Sequence, residues 1–368
     1  MLENEPRRRI IKVLHIGPDV SSKGGIASVL SEYSTNRALF ESLNCEFSFA
    51  GTCGKSSADR LVKFLTAWWA IASCRISGRL DIVHIHTATR GSLVRKWILA
   101  ATCMLLGQRY VVHIHSGAME RYIARQVTPI RAAVRFVWNR ASRIVCLSGN
   151  MREWLTQRWK IAPAKCVLVY NGLSEPSLGN VRPATRQEPT VILFLGKLVE
   201  AKGVRTLLDA AEKLRDLGCS YRLLVGGNGG VQAFLDEVAR RGLAHTVEYL
   251  GWVIGDDKVR LLANADIFVL PSHSEGFPVS IIEAMAFGVA IVSTNIPGVV
   301  DAVTHEQHGL LVPPRDDVAL CDALFRLIEN PAMRAKLAVA AQQRFMDRFT
   351  IKRTAEALAE LYGHAINN

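Results

Sequence analysis

Residues 271–298 read PSHSEGFPVSIIEAMAFGVAIVSTNIPG, and this stretch decides the fold. The apolar run before and into it, ADIFVLPS (265–272), reads as a buried strand, and VSIIEAMAFG (279–288) as a helix. Pro278 suits the first helical turn and Gly288 the helix end. Two carboxylates, Glu275 and Glu283, stand eight positions apart, with Gly276, Phe277 and Pro278 in the turn between strand and helix. The unpaired amides of a first helical turn, with the helix dipole behind them, seat an anion. A helix rises ~1.5 Å per residue, so carboxylates joined by a loop and one to two turns sit on the order of 10 Å apart. That spacing suits a ligand with hydroxyls at both ends and negative charge in the middle, as in a nucleotide sugar.

The E-x7-E spacing inside EGFPVSIIEAMAFGVAIVSTNIPG resembles family 4 of the retaining glycosyltransferases, and the likeness extends through most of residues 190–315. The resemblance implies an α/β fold of two Rossmann-like doubly wound domains facing a central cleft, the GT-B arrangement. It implies that Glu275 contacts the transferred sugar and Glu283 the ribose hydroxyls. The competing reading is plain: glutamates at loop ends and on amphipathic helices are usually solvated, and an isolated E-x7-E match means little.

Length and composition agree with two domains. A chain of 368 residues exceeds one ordinary core and suits two domains of roughly 150 to 200 residues. We expect an N-terminal, acceptor-side domain at 1–178, a linker at 179–189, a nucleotide-sugar-binding domain at 190–350, and a final helix at 351–368 that crosses back to the first domain. LGNVRPATRQEPT, polar and proline-bearing, is the linker. The longest apolar run, WILAATCMLLG from Trp97, falls short of the ~20 residues that cross a bilayer. MLENEPRRRI leads into a strand without a signal-peptide core, and eight scattered cysteines form no C-x-x-C pair, so a reducing, cytoplasmic setting is expected.

The net charge of +12 is lopsided: residues 1–180 hold 25 Lys/Arg against 11 Asp/Glu, the remainder 20 against 22. An excess confined to one half points to a polyanionic partner. In DRLVKFLTAWWAIASCRISGRL (59–80), Lys63, Arg75 and Arg79 share helical spacing with Trp68 and Trp69, as on an interfacial helix, although a core helix with a solvated basic side carries the same pattern. RGSLVRKW and the arginines 121, 125, 131 and 135 turn the expectation towards an anionic membrane surface, with the protein peripheral at the inner face of the plasma membrane. Nucleic acid is the weaker choice, since no recognised binding motif accompanies the charge. The sequence sets no oligomeric state.

IKVLHIGPDVSSKGGIASVLSEYS is a strand, a turn through Lys23, Gly24 and Gly25, and a helix. The two glycines let backbone amides approach a ligand. Gly-Gly is more often just a turn, but the resemblance implies that this loop faces the cleft. DIVHIHTA and YVVHIHSG each place two histidines on one strand face, His84 with His86 and His113 with His115. No carboxylate or cysteine completes a zinc set, so no metal is expected and three of the four read as core residues. His115 is last in its strand, before Ser116 and Gly117, where doubly wound sheets bind ligands. The resemblance gives it a contact to the donor sugar. Asn171-Gly172 reads as a turn closing the first domain.

TVILFLGKLVEAKGVRTLLDAAEKL delivers Gly196-Lys197 at a strand end, then Lys202-Gly203 before a helix. In the family, Gly-Arg and Lys-Gly at these places hold the donor diphosphate; here lysine stands where arginine is usual, which keeps the charge and loses the bidentate fork. Two solvated loop lysines is the competing reading. The Gly226–Gly230 run could open a dinucleotide fingerprint with Glu248 following, but the third glycine of G-x-G-x-x-G, counted from Gly227, falls on Gln232. It is read as a tight turn lining the nucleotide pocket. VEYLGWV resembles the family strand whose end, near Trp252 and Val253, holds the base through backbone groups. No D-x-D triplet occurs, so lysines and a helix start must neutralise the leaving nucleoside diphosphate, with no cofactor. Catalysis is expected from His115, Lys197, Lys202 and Glu275. Donor contacts are expected from Gly24, Gly25, Gly227, Trp252, Val253, Gly276, Phe277, Pro278 and Glu283. The acceptor is expected to be a glycan or lipid-diphosphate-linked saccharide. The rivals are a nicotinamide dehydrogenase, a sugar-nucleotide epimerase of the same outline and a non-catalytic subunit.

Overall fold

The computed structural model describes residues 9–22, 24–54, 56–176 and 189–367. Lys23 and positions 179–188 of the expected linker lie outside the described residues. The chain divides into two compact units, residues 1–174 with 350–368, and residues 175–349.

In the first unit, β1 (Ile11–Gly17), α1 (Gly25–Thr35), α2 (Arg37–Ser42), β2 (Cys45–Gly51), α3 (Ser57–Ile76), β3 (Ile82–Thr87), α4 (Gly91–Leu105), β4 (Tyr110–Ile114), α5 (Met119–Ala124), α6 (Thr128–Arg140), β5 (Arg143–Cys146), α7 (Gly149–Glu153) and β6 (Cys166–Leu168) follow one another. All pairings are parallel, in the order β2-β1-β3-β4-β5-β6. Parallel strands covered on both faces read as near-continuous apolar runs, as β3 and β4 do, each buried along its whole length. Their alternate residues serve two cores. Leu14, Ile16, Val83, Ile85, Val112 and Ile114 pack with Ala67 and Ile71 of α3 and Leu99 and Ala100 of α4. The opposite face carries His15, His84, His86 and His113 against Tyr33 and Phe47. α7 runs directly into a π-helical turn, Trp154–Arg158, and Trp154 and Trp159 pack against Trp138.

The second unit comprises β7 (Thr190–Leu195), α8 (Val204–Asp216), β8 (Tyr221–Gly226), α9 (Val231–Arg240), β9 (Val247–Gly251), α10 (Gly255–Asn264), β10 (Ile267–Leu270), α11 (Val279–Ala286), β11 (Ala290–Thr294), α12 (Val299–Ala302), β12 (Leu310–Val312), α13 (Asp317–Glu329) and α14 (Pro331–Arg348). Its parallel sheet has the order β12-β11-β10-β7-β8-β9. Strand order reverses between β7 and β10, and the open space at such a switch point is where doubly wound sheets take ligands.

α15 (Ile351–Asn367) then returns to the first unit. Ile351 N–H donates to the Leu173 carbonyl at 2.7 Å and Thr354 Oγ1 to the Tyr170 carbonyl at 2.9 Å. Asn171-Gly172 carries no hydrogen-bonded turn, against the sequence expectation. Glycine is required there for another reason: a Cβ at 172 would lie 2.4 Å from the Thr350 carbonyl oxygen.

Candidate active site

The switch point of the second unit is framed by the loops that leave β7 and β10. The β7 loop passes Gly196 and exposed Lys197, tightens into a short 3-10 turn at Glu200–Lys202, and reaches α8 through Gly203. Gly203 has φ +71°, and a Cβ on it would come 1.9 Å from the Pro271 carbonyl oxygen. This close approach, with His273 N–H bonded to the Ala201 carbonyl at 3.0 Å, binds the two loops together. Lys202 Nζ consequently meets Glu275 Oε1 at 2.5 Å, with the carboxylate side chain only 10% exposed. Gly276, Phe277 and Pro278 follow, all buried. Phe277 packs on Phe349, ring centroids 5.3 Å apart. Pro278 is the N-cap of α11 rather than its first helical residue, and it offers no side-chain hydrogen bond to the first-turn amides. At the other end Gly288 takes φ +63°. A turn further into α11, Glu283 Oε1 pairs with Lys258 Nζ of α10 at 2.6 Å.

The loops after β8 and β9 close the rim. A Cβ on Gly227 would lie 1.8 Å from the Gly196 carbonyl oxygen, so the loop bearing Lys197 abuts this glycine. Gly227 N–H donates to the Gly251 carbonyl at 2.7 Å, and Tyr249 Oη donates to the Gly227 carbonyl at 3.0 Å. Trp252 and Val253, directly after β9, are half-buried. The structure thus brings Lys197, Lys202, Gly227, Trp252, Val253, Gly276, Phe277, Pro278, Glu275 and Glu283 to the strand ends of one sheet.

Gly24, Gly25 and His115 belong to the first unit. Gly24, with φ +133°, caps α1, and Gly25 opens it. His115 stands half-buried just past β4. Its ring is one of five: His15 joins His84, His86, His113 and His115 in a row across β1, β3 and β4. His86 Nδ1 lies 2.9 Å from His115 Nε2, and His86 Nε2 lies 3.0 Å from His15 Nδ1. A second set runs from Tyr362 Oη to His84 Nδ1 at 2.6 Å, and from His84 Nε2 to His113 Nδ1 at 3.1 Å. Burial pushes His15 and His115 down to about 3, and His84, His86 and His113 well below the usual imidazole range, so the rings are neutral at physiological pH. Nitrogens of His15, His84 and His86, and of His86, His113 and His115, approach one another closely enough to consider a metal. The same nitrogens already face one another in ring-to-ring hydrogen bonds, 2.9 Å from His86 Nδ1 to His115 Nε2, 3.0 Å from His86 Nε2 to His15 Nδ1 and 3.1 Å from His84 Nε2 to His113 Nδ1.

Two functional candidates escaped sequence reasoning. Lys258 sits 25 positions from Glu283 on a separate helix, with no local signal; only the tertiary fold brings the two side chains together. His15 had a visible signal, an alternate position in a strand next to the histidine strands, but its register with His84 is a tertiary fact.

Comparison with known proteins agrees with this architecture. The family model for "Glycosyltransferase Family 4" matches residues 50–175, and that for "Glycosyl transferases group 1" matches residues 181–344. The chain is 28% identical over 248 residues to the Mycobacterium tuberculosis glycogen synthase, covering 67% of this chain and 59% of that protein. It is 33% identical over 178 residues to the Campylobacter jejuni N,N'-diacetylbacillosaminyl-diphospho-undecaprenol alpha-1,3-N-acetylgalactosaminyltransferase, covering 48% of this chain and 46% of that one. A glycosyltransferase structure from Rickettsia africae superposes with a TM-score of 0.78 at 17% identity, over 97% of this chain and 99% of the other. Fold and strand-end site together define a two-domain α/β chain of the GT-B class. The chain belongs to the family 4 type of glycosyltransferases.

Proposed function

We propose that this protein is a retaining, metal-independent glycosyltransferase that moves a hexose from a UDP- or GDP-linked donor to a glycan acceptor. The observation that carries the reading is the Lys202–Glu275 pair, set at the switch point directly before the uncapped start of α11. A departing nucleoside diphosphate develops negative charge as the sugar carbon becomes positive. Lys202, Lys197 and the first-turn amides of α11 would take the diphosphate charge, Glu275 would orient the sugar, and Glu283, steadied by Lys258, would hold the ribose hydroxyls. The rim at Gly227, Trp252 and Val253 would receive the base. In the first unit, His115 would bond a sugar hydroxyl, and the Gly24-Gly25 turn would bring amides to a ligand. Support for such a donor comes from the Anabaena HepE structures of the same fold, which hold UDP, UDP with glucose, and UDP-glucose.

For the acceptor we favour a lipid-diphosphate-linked saccharide at the inner face of the plasma membrane, in bacterial exopolysaccharide or lipopolysaccharide assembly. The Campylobacter relative is named for a diphospho-undecaprenol substrate, and another relative, 31% identical over 208 residues, is an amylovoran biosynthesis glycosyltransferase of Erwinia amylovora. No described helix is long and apolar enough to cross a membrane. Peripheral attachment fits the surface of the first unit: α3 exposes Leu61, Val62, Leu65 and Trp69, α4 exposes Val94 and Ile98, and α6 exposes Ile130 and Phe136. Exposed Arg75, Arg131 and Arg135 lie on α3 and α6. Apolar side chains rimmed by cations are what an anionic interface binds.

Thermal-shift screening against UDP-, GDP- and ADP-sugars, followed by product analysis with and without a lipid-diphosphate acceptor, tests the reading. Stabilisation by one nucleotide sugar and acceptor-dependent transfer are expected. Isomerised donor without acceptor would indicate the epimerase, and no nucleotide binding would indicate a non-catalytic subunit.

A further inference from the structure

We propose that His86 and His15 are positioning residues that fix His115 in one tautomer, with the proton on Nδ1, making it a neutral hydrogen-bond donor to a ligand oxygen rather than a base. The argument is a proton count. Each neutral imidazole carries one N–H. Two bonds, His15 Nδ1 to His86 Nε2 at 3.0 Å and His86 Nδ1 to His115 Nε2 at 2.9 Å, each need one proton between their two nitrogens. Only two arrangements satisfy both. In one, His86 donates from Nδ1 to His115, His15 donates from Nδ1 to His86, and His115 keeps its own proton on Nδ1. In the other every proton moves to the opposite nitrogen, and His115 Nδ1 is bare.

The far end of the row decides between them. His15 Nε2 is buried and has no hydrogen-bond partner among the described residues. The first arrangement leaves it a bare acceptor, the second an orphaned N–H, and buried orphan donors are the rarer and costlier of the two. Tyr33 of α1, Cys45 of β2, Tyr362 of α15, His84 and His113 are the other titratable groups on this face; none is a carboxylate or a fixed cation that could reverse the preference. His115 Nδ1, by contrast, is not among the buried unpartnered atoms, and its ring is half-buried at the strand end, so this N–H is the one the row presents outward.

The inference rests on the reading that His115 meets a sugar, and its test separates the two. Long-range proton–nitrogen NMR of the full-length protein labelled with 15N-histidine, with His115→Phe for assignment, reads the tautomer in the free state. A protonated Nδ1 and bare Nε2 at His115, unchanged from pH 8 to 6, is expected. A proton on Nε2, an imidazolium, or a stoichiometric metal in the purified protein overturns the proposal. For function, the ratio of nucleotide-sugar to nucleotide affinity isolates the sugar contact. His86→Leu should lower that ratio roughly 10-fold, while His86→Asn, whose amide can donate in place of Nδ1–H, should hold it within about threefold. Equal loss in both, or an unchanged ratio in His86→Leu, also overturns it. Failure to bind any nucleotide sugar sinks the sugar reading instead and leaves the tautomer measurement to stand or fall alone.

Discussion

Replacing Lys202 with methionine keeps the stem and removes the cation 2.5 Å from Glu275. Two effects separate. The first is on folding: Glu275, 10% exposed, loses its partner, while Lys202 at 27% exposure leaves room for water to compensate. The full cost of orphaning a buried charge is about 3–5 kcal/mol, and partial exposure reduces it to about 1–2 kcal/mol. The second is on the chemical step. A cation aimed at a developing phosphate charge contributes about 3–4 kcal/mol to the transition state, a 10²- to 10³-fold loss in kcat. Urea unfolding and steady-state transfer measured on the same preparations resolve the two. The double variant Lys202→Met, Glu275→Gln removes the orphaned charge and should recover most of the stability without recovering turnover. If kcat of Lys202→Met stays within about threefold of wild type, or returns in the double variant, Lys202 is only the counter-ion of Glu275 and the diphosphate reading fails.

Glu283→Gln should raise the donor KM and the nucleotide inhibition constant together by roughly 10-fold, since a ribose contact is made equally in ground and transition states. Lys258→Met should follow it more weakly, and a change in kcat alone would contradict the assignment. Gly203→Ala places a Cβ 1.9 Å from the Pro271 carbonyl at φ +71°, and should cost roughly 2–4 kcal/mol by urea midpoint. Gly25→Ala, with nothing within 4 Å, should be near neutral; equal effects would refute the close-approach argument. His15 and His115 are held neutral down to about 3, whereas unfolded histidine protonates near 6.5, so their contribution is intact above about pH 6.5 and is lost as pH falls towards 3. Each adds about 1.4 kcal/mol per pH unit to the slope over that range, and His15→Phe should flatten urea-measured stability against pH by that amount. Leu65→Glu with Trp69→Glu should abolish co-sedimentation with anionic vesicles at low salt while leaving transfer to a soluble acceptor analogue intact; undiminished vesicle binding would remove α3 from the interface.

Much of the fold was legible because buried parallel strands and the turns after them are local patterns. ADIFVLPS, TVILFLG and YVVHIHSG announce strands by apolar content, and the Pro, Ser and Gly at their ends announce where each strand turns. The same logic failed where a glycine served packing: Asn171-Gly172 looks like a turn, and it is a slot for the Thr350 carbonyl. Composition also gave the lopsided charge, but not that α3, α4 and α6 leave apolar side chains exposed among those cations.

By itself, the sequence determined the two parallel α/β sheets, the strand-loop-helix carrying Glu275 and Glu283, and the lysines at the ends of neighbouring loops. Only the tertiary structure decided who pairs with whom: Lys202 with Glu275, Lys258 with Glu283, and His15 at the buried end of the histidine row. Element identity follows from periodicities of two and 3.6 residues, which act over a few positions. Ion pairs and hydrogen-bonded rings depend on register between strands and helices tens to hundreds of residues apart, and that register is set by core packing that no local pattern encodes.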